Sequence, residues 1–85
     1  MSRTISSTVL PIQRAMAGAT PSAWRDGLVV EASGATASVV FLDGAVATLR
    51  VVGPAVELIA GEPVAYHPVA ELLDAARLVT TARVA

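Results

Sequence analysis

Residues 28–52, LVVEASGATASVVFLDGAVATLRVV, constrain this chain more than any other stretch. Three apolar runs, Leu28 to Ala32, Ala35 to Leu42 and Ala45 to Val52, are separated by the breaks Ser33-Gly34 and Asp43-Gly44. Runs of this length bounded by glycine-containing pairs read as strands joined by tight hairpins, because glycine supplies the positive φ that such turns require. The stretch is therefore a three-stranded antiparallel meander. Two-residue turns would place Ala32 opposite Ala35, Val30 opposite Ala37, Leu42 opposite Ala45 and Phe41 opposite Val46. One face then carries Leu28, Val30, Ala37, Val39, Phe41, Val46 and Thr48, and the other Val29, Glu31, Thr36, Ser38, Val40, Leu42, Ala47, Leu49 and Val51. A half-solvated sheet has one apolar and one polar face. Here both are apolar near Asp43-Gly44, so something must cover the second: the rest of the chain curling into a barrel, or another subunit.

The flanking segments extend this reading. Gly53-Pro54 stops the third strand, since proline cannot donate to a ladder, and Val56, Leu58 and Ile59 form a short apolar piece. Gly61-Glu62-Pro63 then turns the chain into a fourth strand, Val64 to His67. In residues 68–77, Val69, Leu72, Leu73 and Ala76 fall at i, i+3, i+4 and i+7 behind Pro68, which predicts a short helix of good helix formers. The competing reading is a long strand, with Val64, Tyr66, Pro68, Ala70 and Leu72 alternating before a turn at Asp74-Ala75-Ala76. Arg77 to Val84 closes the sheet. Residues 1–23 are rich in serine, threonine and small residues and read as an extended N-terminal arm, with Thr4 to Leu10 as an edge strand. Residues 24–85 form the barrel domain. Asp26-Gly27 reads as a turn, and Trp24 either plugs one end of the barrel or anchors an interface.

Composition excludes several chemistries. At 85 residues the chain is one small domain, and with no cysteine it has neither disulfides nor thiolate ligands nor a cysteine nucleophile. All six basic residues are arginines, spread from Arg3 to Arg83, and the net charge is −1; a phosphate-binding surface needs clustered positive charge. No apolar run reaches the roughly 20 residues that span a bilayer. Val9 to Ile12 is too short for a signal-peptide core and is broken by Pro11, so the N-terminus reads as part of the mature chain. His67, the single histidine, has only Glu71 and Asp74 near it in sequence and reads as a strand-end residue with a satisfied ring nitrogen rather than a metal ligand. Glu57 with Glu62, and Glu71 with Asp74, read as solvated acids, and no serine sits in a nucleophile-elbow context. The sequence thus assigns no catalytic, cofactor-binding or metal site and no enzymatic activity.

From residue 24 to 84, the order of a tight meander, a Gly-Glu-Pro strand entry, a helical turn and a closing strand resembles small five-stranded barrels of the SH3-like or OB-like kind. The lysine-free, Ala/Val/Arg-rich texture behind a Ser/Thr-rich arm is similar to that of minor structural proteins of tailed phages, such as capsid decoration or head-to-tail joining proteins. That resemblance implies a non-enzymatic structural protein, oligomeric or coating a larger shell, found in the cytoplasm or a virion. Its partners would be itself or a larger protein assembly, with no membrane and no nucleic acid. The two-sided meander and the arm nominate Ile5, Val9, Leu10, Ile12, Trp24, Val40, Leu42 and Leu49 as the protein interface. The alternative is a small nucleic-acid-binding or ribonucleoprotein adaptor barrel.

Overall fold

The computed structural model describes residues 4–5, 9–52, 58–75 and 78–85, and the statements that follow concern those residues. The elements are β1 (Thr4–Ile5), α1 (Pro11–Ala19), a 3-10 turn (Pro21–Ala23), β2 (Arg25–Ser33), β3 (Thr36–Phe41), β4 (Val46–Val52), β5 (Pro63–His67), β6 (Leu72–Ala75) and β7 (Leu78–Val84). Six strands, in the order β7-β4-β3-β2-β5-β6, pair antiparallel and close on themselves through β6 and β7. The short β1 adds to β7 in parallel, Thr4 beside Leu78 and Ile5 beside Val79. The chain is thus a small closed β-barrel with one short helix.

The meander forms as the sequence predicts, but in a different register. Its first loop is Gly34-Ala35, with Ser33 opposite Thr36 and Gly34 at φ 59°, as the first central residue of a type II′ turn requires. The second loop has three residues, Leu42 to Gly44. Gly44 sits at φ 88°, its N–H donates to Phe41 O (2.9 Å) and the Phe41 N–H donates to Ala45 O (2.8 Å). An additional loop residue in the left-handed region moves Val46 opposite Val40 rather than Phe41. A bulge between Val29 and Glu31 shifts β2 once more. Both expected faces are therefore redistributed: Val29, Ala37, Val39, Phe41, Leu49 and Val51 all point into the core, while Leu28, Val30 and Val46 point out.

Other elements also depart from expectation. Asp26-Gly27 is strand, not turn, and Gly27 faces Phe41 across the β2–β3 pair. Residues 68–71 are a turn and residues 72–75 are β6, so the expected helix near 68–77 is absent from its described part and the barrel has six strands rather than five. The reason is burial on both sides: Leu73 and Ala75 fill the barrel, and Leu72 packs beneath α1. Glu71, at φ 56°, turns the chain between His67 and Leu72. Residues 11–19 of the expected extended arm are helical. The strand stop at Gly53-Pro54 lies outside the described residues, although β4 does end at Val52.

The core gathers Leu49, Leu73, Val39 and Tyr66 among others around the barrel axis. The accessible surface of 4854 Å² is close to the roughly 4,700 Å² expected of a folded monomer of this mass. The chain encloses its own core; what is unusual is where the remaining apolar groups lie.

Candidate functional site

Strand alternation sends Gly27 and Val29 inward, so Leu28 must face out. Register then lines up one outward row across four strands: Pro63 on β5, Leu28 on β2, Val40 on β3 and Val46 on β4. Leu28 is 44%, Val46 65% and neighbouring Leu42 81% exposed. Further along the same strands the outer wall is polar, with Thr36, Ser38, Thr48 and Arg50. On β3 and β4 the outward apolar residues thus gather at the Asp43-Gly44 end, where the sequence places them, while Val30, Val52 and Val84 are further exposed aliphatic residues elsewhere on the barrel.

A second outward row runs beside the first. Asp26 pairs with Ala65, and Ala65 with Asp74, so two carboxylates flank one small residue at two strand spacings, about 10 Å. With Leu28, Leu42 and Pro63 they line an open groove of about 510 Å³. Its floor is apolar and its flanks are acidic.

At the rim, the Arg25 guanidinium lies 4.0 Å from the Phe41 ring centre and donates from Nη2 to Asp43 Oδ2 (3.1 Å). Asp43 Oδ1 accepts the Ala45 N–H (2.9 Å). That backbone hydrogen bond, then the Arg25 charge, hold the Asp43 carboxyl below its ordinary value. Burial, then the Glu71 charge, push the Tyr66 hydroxyl up.

A separate apolar surface belongs to α1. Gln13 and Ala17 face the barrel, and Gln13 works at both ends of its amide: Oε1 accepts the Leu10 N–H (2.8 Å), and Nε2 donates to Ala70 O (3.0 Å). His67, fully buried, accepts the Ala70 N–H at Nδ1 (3.0 Å), which places its proton on Nε2 for donation to Thr20 O (2.9 Å). Trp24 meets the His67 ring edge-on at 5.1 Å. The opposite side of α1 presents Ile12, Ala15, Met16 and Ala19 to solvent.

The nominated interface residues separate accordingly. Leu49 lies in the core with no exposed surface, because the loop lengths set β4 one residue from its expected register. Val9 and Trp24 are partly buried in the small cluster under α1. Leu10 and Ile12 are exposed beside that helix, Leu42 is exposed in the groove, and Val40 is half-buried in the outward row. The backbone of Ile5 pairs with β7, and its side chain lies outside the described residues. Sequence reasoning missed Leu28, Val46, Pro63 and Met16. The i, i+3, i+4, i+7 spacing of Ile12, Ala15, Met16 and Ala19 behind Pro11 was the available signal for the last.

Comparison with protein-family models, curated proteins and solved structures finds no match. The site is accordingly read from its own chemistry. Among the described residues no three of His, Cys, Asp and Glu gather where they could hold a metal ion. Of the described arginines, Arg25 is tied to Asp43 and Arg83 to Glu71 (3.7 Å). Arg50 stands directly opposite Arg83.

Proposed function

We propose that this chain is a non-enzymatic structural module that self-associates within a larger protein assembly. The observation that carries the reading is the outward row Pro63, Leu28, Val40 and Val46, with Leu42 beside it, on a barrel that has already enclosed its core. Rows of aliphatic side chains in register on a solvent face mark an interaction surface rather than scattered exposure. Covering Leu28, Leu42 and Val46 is worth about 4 kcal/mol before any cost of association. A micromolar pair needs about 8 kcal/mol net, so this row is one part of a larger contact. A capsid decoration or head-to-tail joining protein is the specific form of this role that the lysine-free, Ala/Val/Arg-rich composition supports.

Size-exclusion chromatography with light scattering tests the reading. The wild-type chain is expected to elute as an oligomer of its 8.6 kDa unit, and Leu28→Asp as a folded monomer. A wild-type monomer at every concentration would sink the reading.

A further inference from the structure

We infer that Arg50 and Arg83 together receive a carboxylate from an acidic segment of another protein, on a face of the barrel separate from the Leu28 row. Strand alternation sends Leu49 and Val51 into the core and Arg50 out, and Arg83 is exposed beyond buried Ala82. The β4–β7 register then sets the two arginines directly opposite each other. Like charges in that position work against the sheet. Nothing within the barrel balances them fully. Among the described residues Arg50 has no ion pair and no hydrogen bond, and Thr36, its neighbour on β3, turns its own hydroxyl to Ser33 O (3.1 Å). Arg83 meets Glu71 only through Nε, at 3.7 Å and on the exposed surface. A contact that long is no hydrogen bond, and an exposed ion pair holds weakly.

Glu71 adds a second, independent observation. It stands at φ 56°, in the left-handed region that favours glycine, and the Ala82 N–H donating to its carbonyl (2.9 Å) helps to fix it there. Strain of this kind gathers at functional positions. A strained acid and an unbalanced pair of cations thus lie at one place on the wall, and neither is what folding alone would select.

The chemistry of the pair names its ligand. A guanidinium fork matches the two oxygens of a carboxylate, and two forks side by side suit one such group. A nucleic-acid backbone would need a track of positive charge. Here exposed Glu71 and Glu31 stand on the same outer wall, Glu31 opposite Ser38, and the chain carries a net charge of −1. A single acidic side chain fits that setting; a run of phosphates is repelled by it. The surrounding Thr36, Ser38 and Thr48 are polar, so the contact steers and orients a partner more than it binds one.

The test titrates the full chain with hexaglutamate at low ionic strength, beside hexaglutamine and a single-stranded oligonucleotide, and follows the arginine Nε–H signals by NMR. Hexaglutamate is expected to shift Arg50 and Arg83 more than Arg25, with the effect fading at high salt. Arg50→Gln is expected to bind about fivefold more weakly while remaining at least as resistant to urea as wild type. Glu71→Gln is expected to bind more tightly, because it frees Arg83 for the ligand. Should Arg50→Gln misfold, Arg83→Gln replaces it. Equal affinity of wild type and Arg50→Gln overturns the inference, as does loss of urea resistance in Arg50→Gln, which would make Arg50 a support of the barrel. Binding of the oligonucleotide without hexaglutamate also overturns it. All these variants should elute as wild type does, so the self-association reading stands or falls separately.

Discussion

Gln13 shows how much one side chain settles. Its Oε1 completes the start of α1 by accepting the Leu10 N–H, and its Nε2 ties the helix to the β5–β6 turn through Ala70 O. Gln13→Glu separates the two roles, because a carboxylate still caps the helix but has no proton for the carbonyl. Its expected cost is about 1–2 kcal/mol, that of an acceptor left without its donor, with faster amide exchange across α1. Equal urea midpoints for Gln13→Glu and wild type would remove the anchoring role. Gly27 is decided by space: a Cβ there would lie 2.6 Å from Val40 O and 2.9 Å from Val39 Cγ1. Since one of these atoms is backbone, Gly27→Ala is expected to destabilise the barrel by about 1–3 kcal/mol, read from the same urea midpoint. Neither role was legible in sequence. Gln13 acts on a turn 57 residues away, and Gly27 beside Asp26 carries the usual signature of a turn.

Among the elements, the β3–β4 hairpin has a pH signature of its own. Folding holds the Asp43 carboxyl below 3.8, first through the Ala45 N–H and then through Arg25. The stabilisation this brings is complete above that value and is lost as pH falls through the lower folded-state value. Asp43→Asn is expected to lower the neutral plateau of the stability profile while leaving its low-pH end nearly unchanged, so that the acid slope flattens; an unaltered acid slope in urea titrations would contradict this. The hairpins also show where sequence reading succeeds. Alternation located β2, β3, β4, β5 and β7, since apolar runs and glycine breaks are local signals. Register was not local: the three-residue loop at Gly44 and the bulge at Val30 each move a strand by one position, and a single step exchanges inside for outside. That is why Leu49 was expected at an interface and Leu28 was not. Residues 68–77 carry both helical and alternating patterns, and the choice fell to tertiary packing of Leu72 and Leu73 on opposite sides of β6. For α1, the stripe of Ile12, Ala15, Met16 and Ala19 was present in the sequence, but the Ser/Thr-rich residues before it suggested an arm.

At the scale of the whole molecule, closure rests on β7, which pairs with β4, β6 and β1 and so joins both ends of the chain to its middle. That closed barrel hides an ordinary fraction of its surface, so assembly is not needed to complete a core. The proposed assembly would rest instead on exposed apolar groups, among them the Leu28 row and the outward side of α1. The two terms separate in thermal unfolding. Folding of the barrel is a property of one chain and does not depend on concentration, whereas association adds stability by mass action, about 2.7 kcal/mol at a hundred times the dissociation constant. For a domain of this size each kcal/mol raises Tm by about 4–8 °C. Wild-type Tm is therefore expected to climb by roughly 10–20 °C between dilute and concentrated solution. Leu28→Asp should stay near the dilute wild-type value throughout, because its substitution sits on the outer wall and removes nothing from the core. A wild-type Tm that ignores concentration would mean that the row faces water in the working protein. A Leu28→Asp Tm well below the dilute wild-type value would mean instead that Leu28 supports the barrel itself, and its outward position would then be structural.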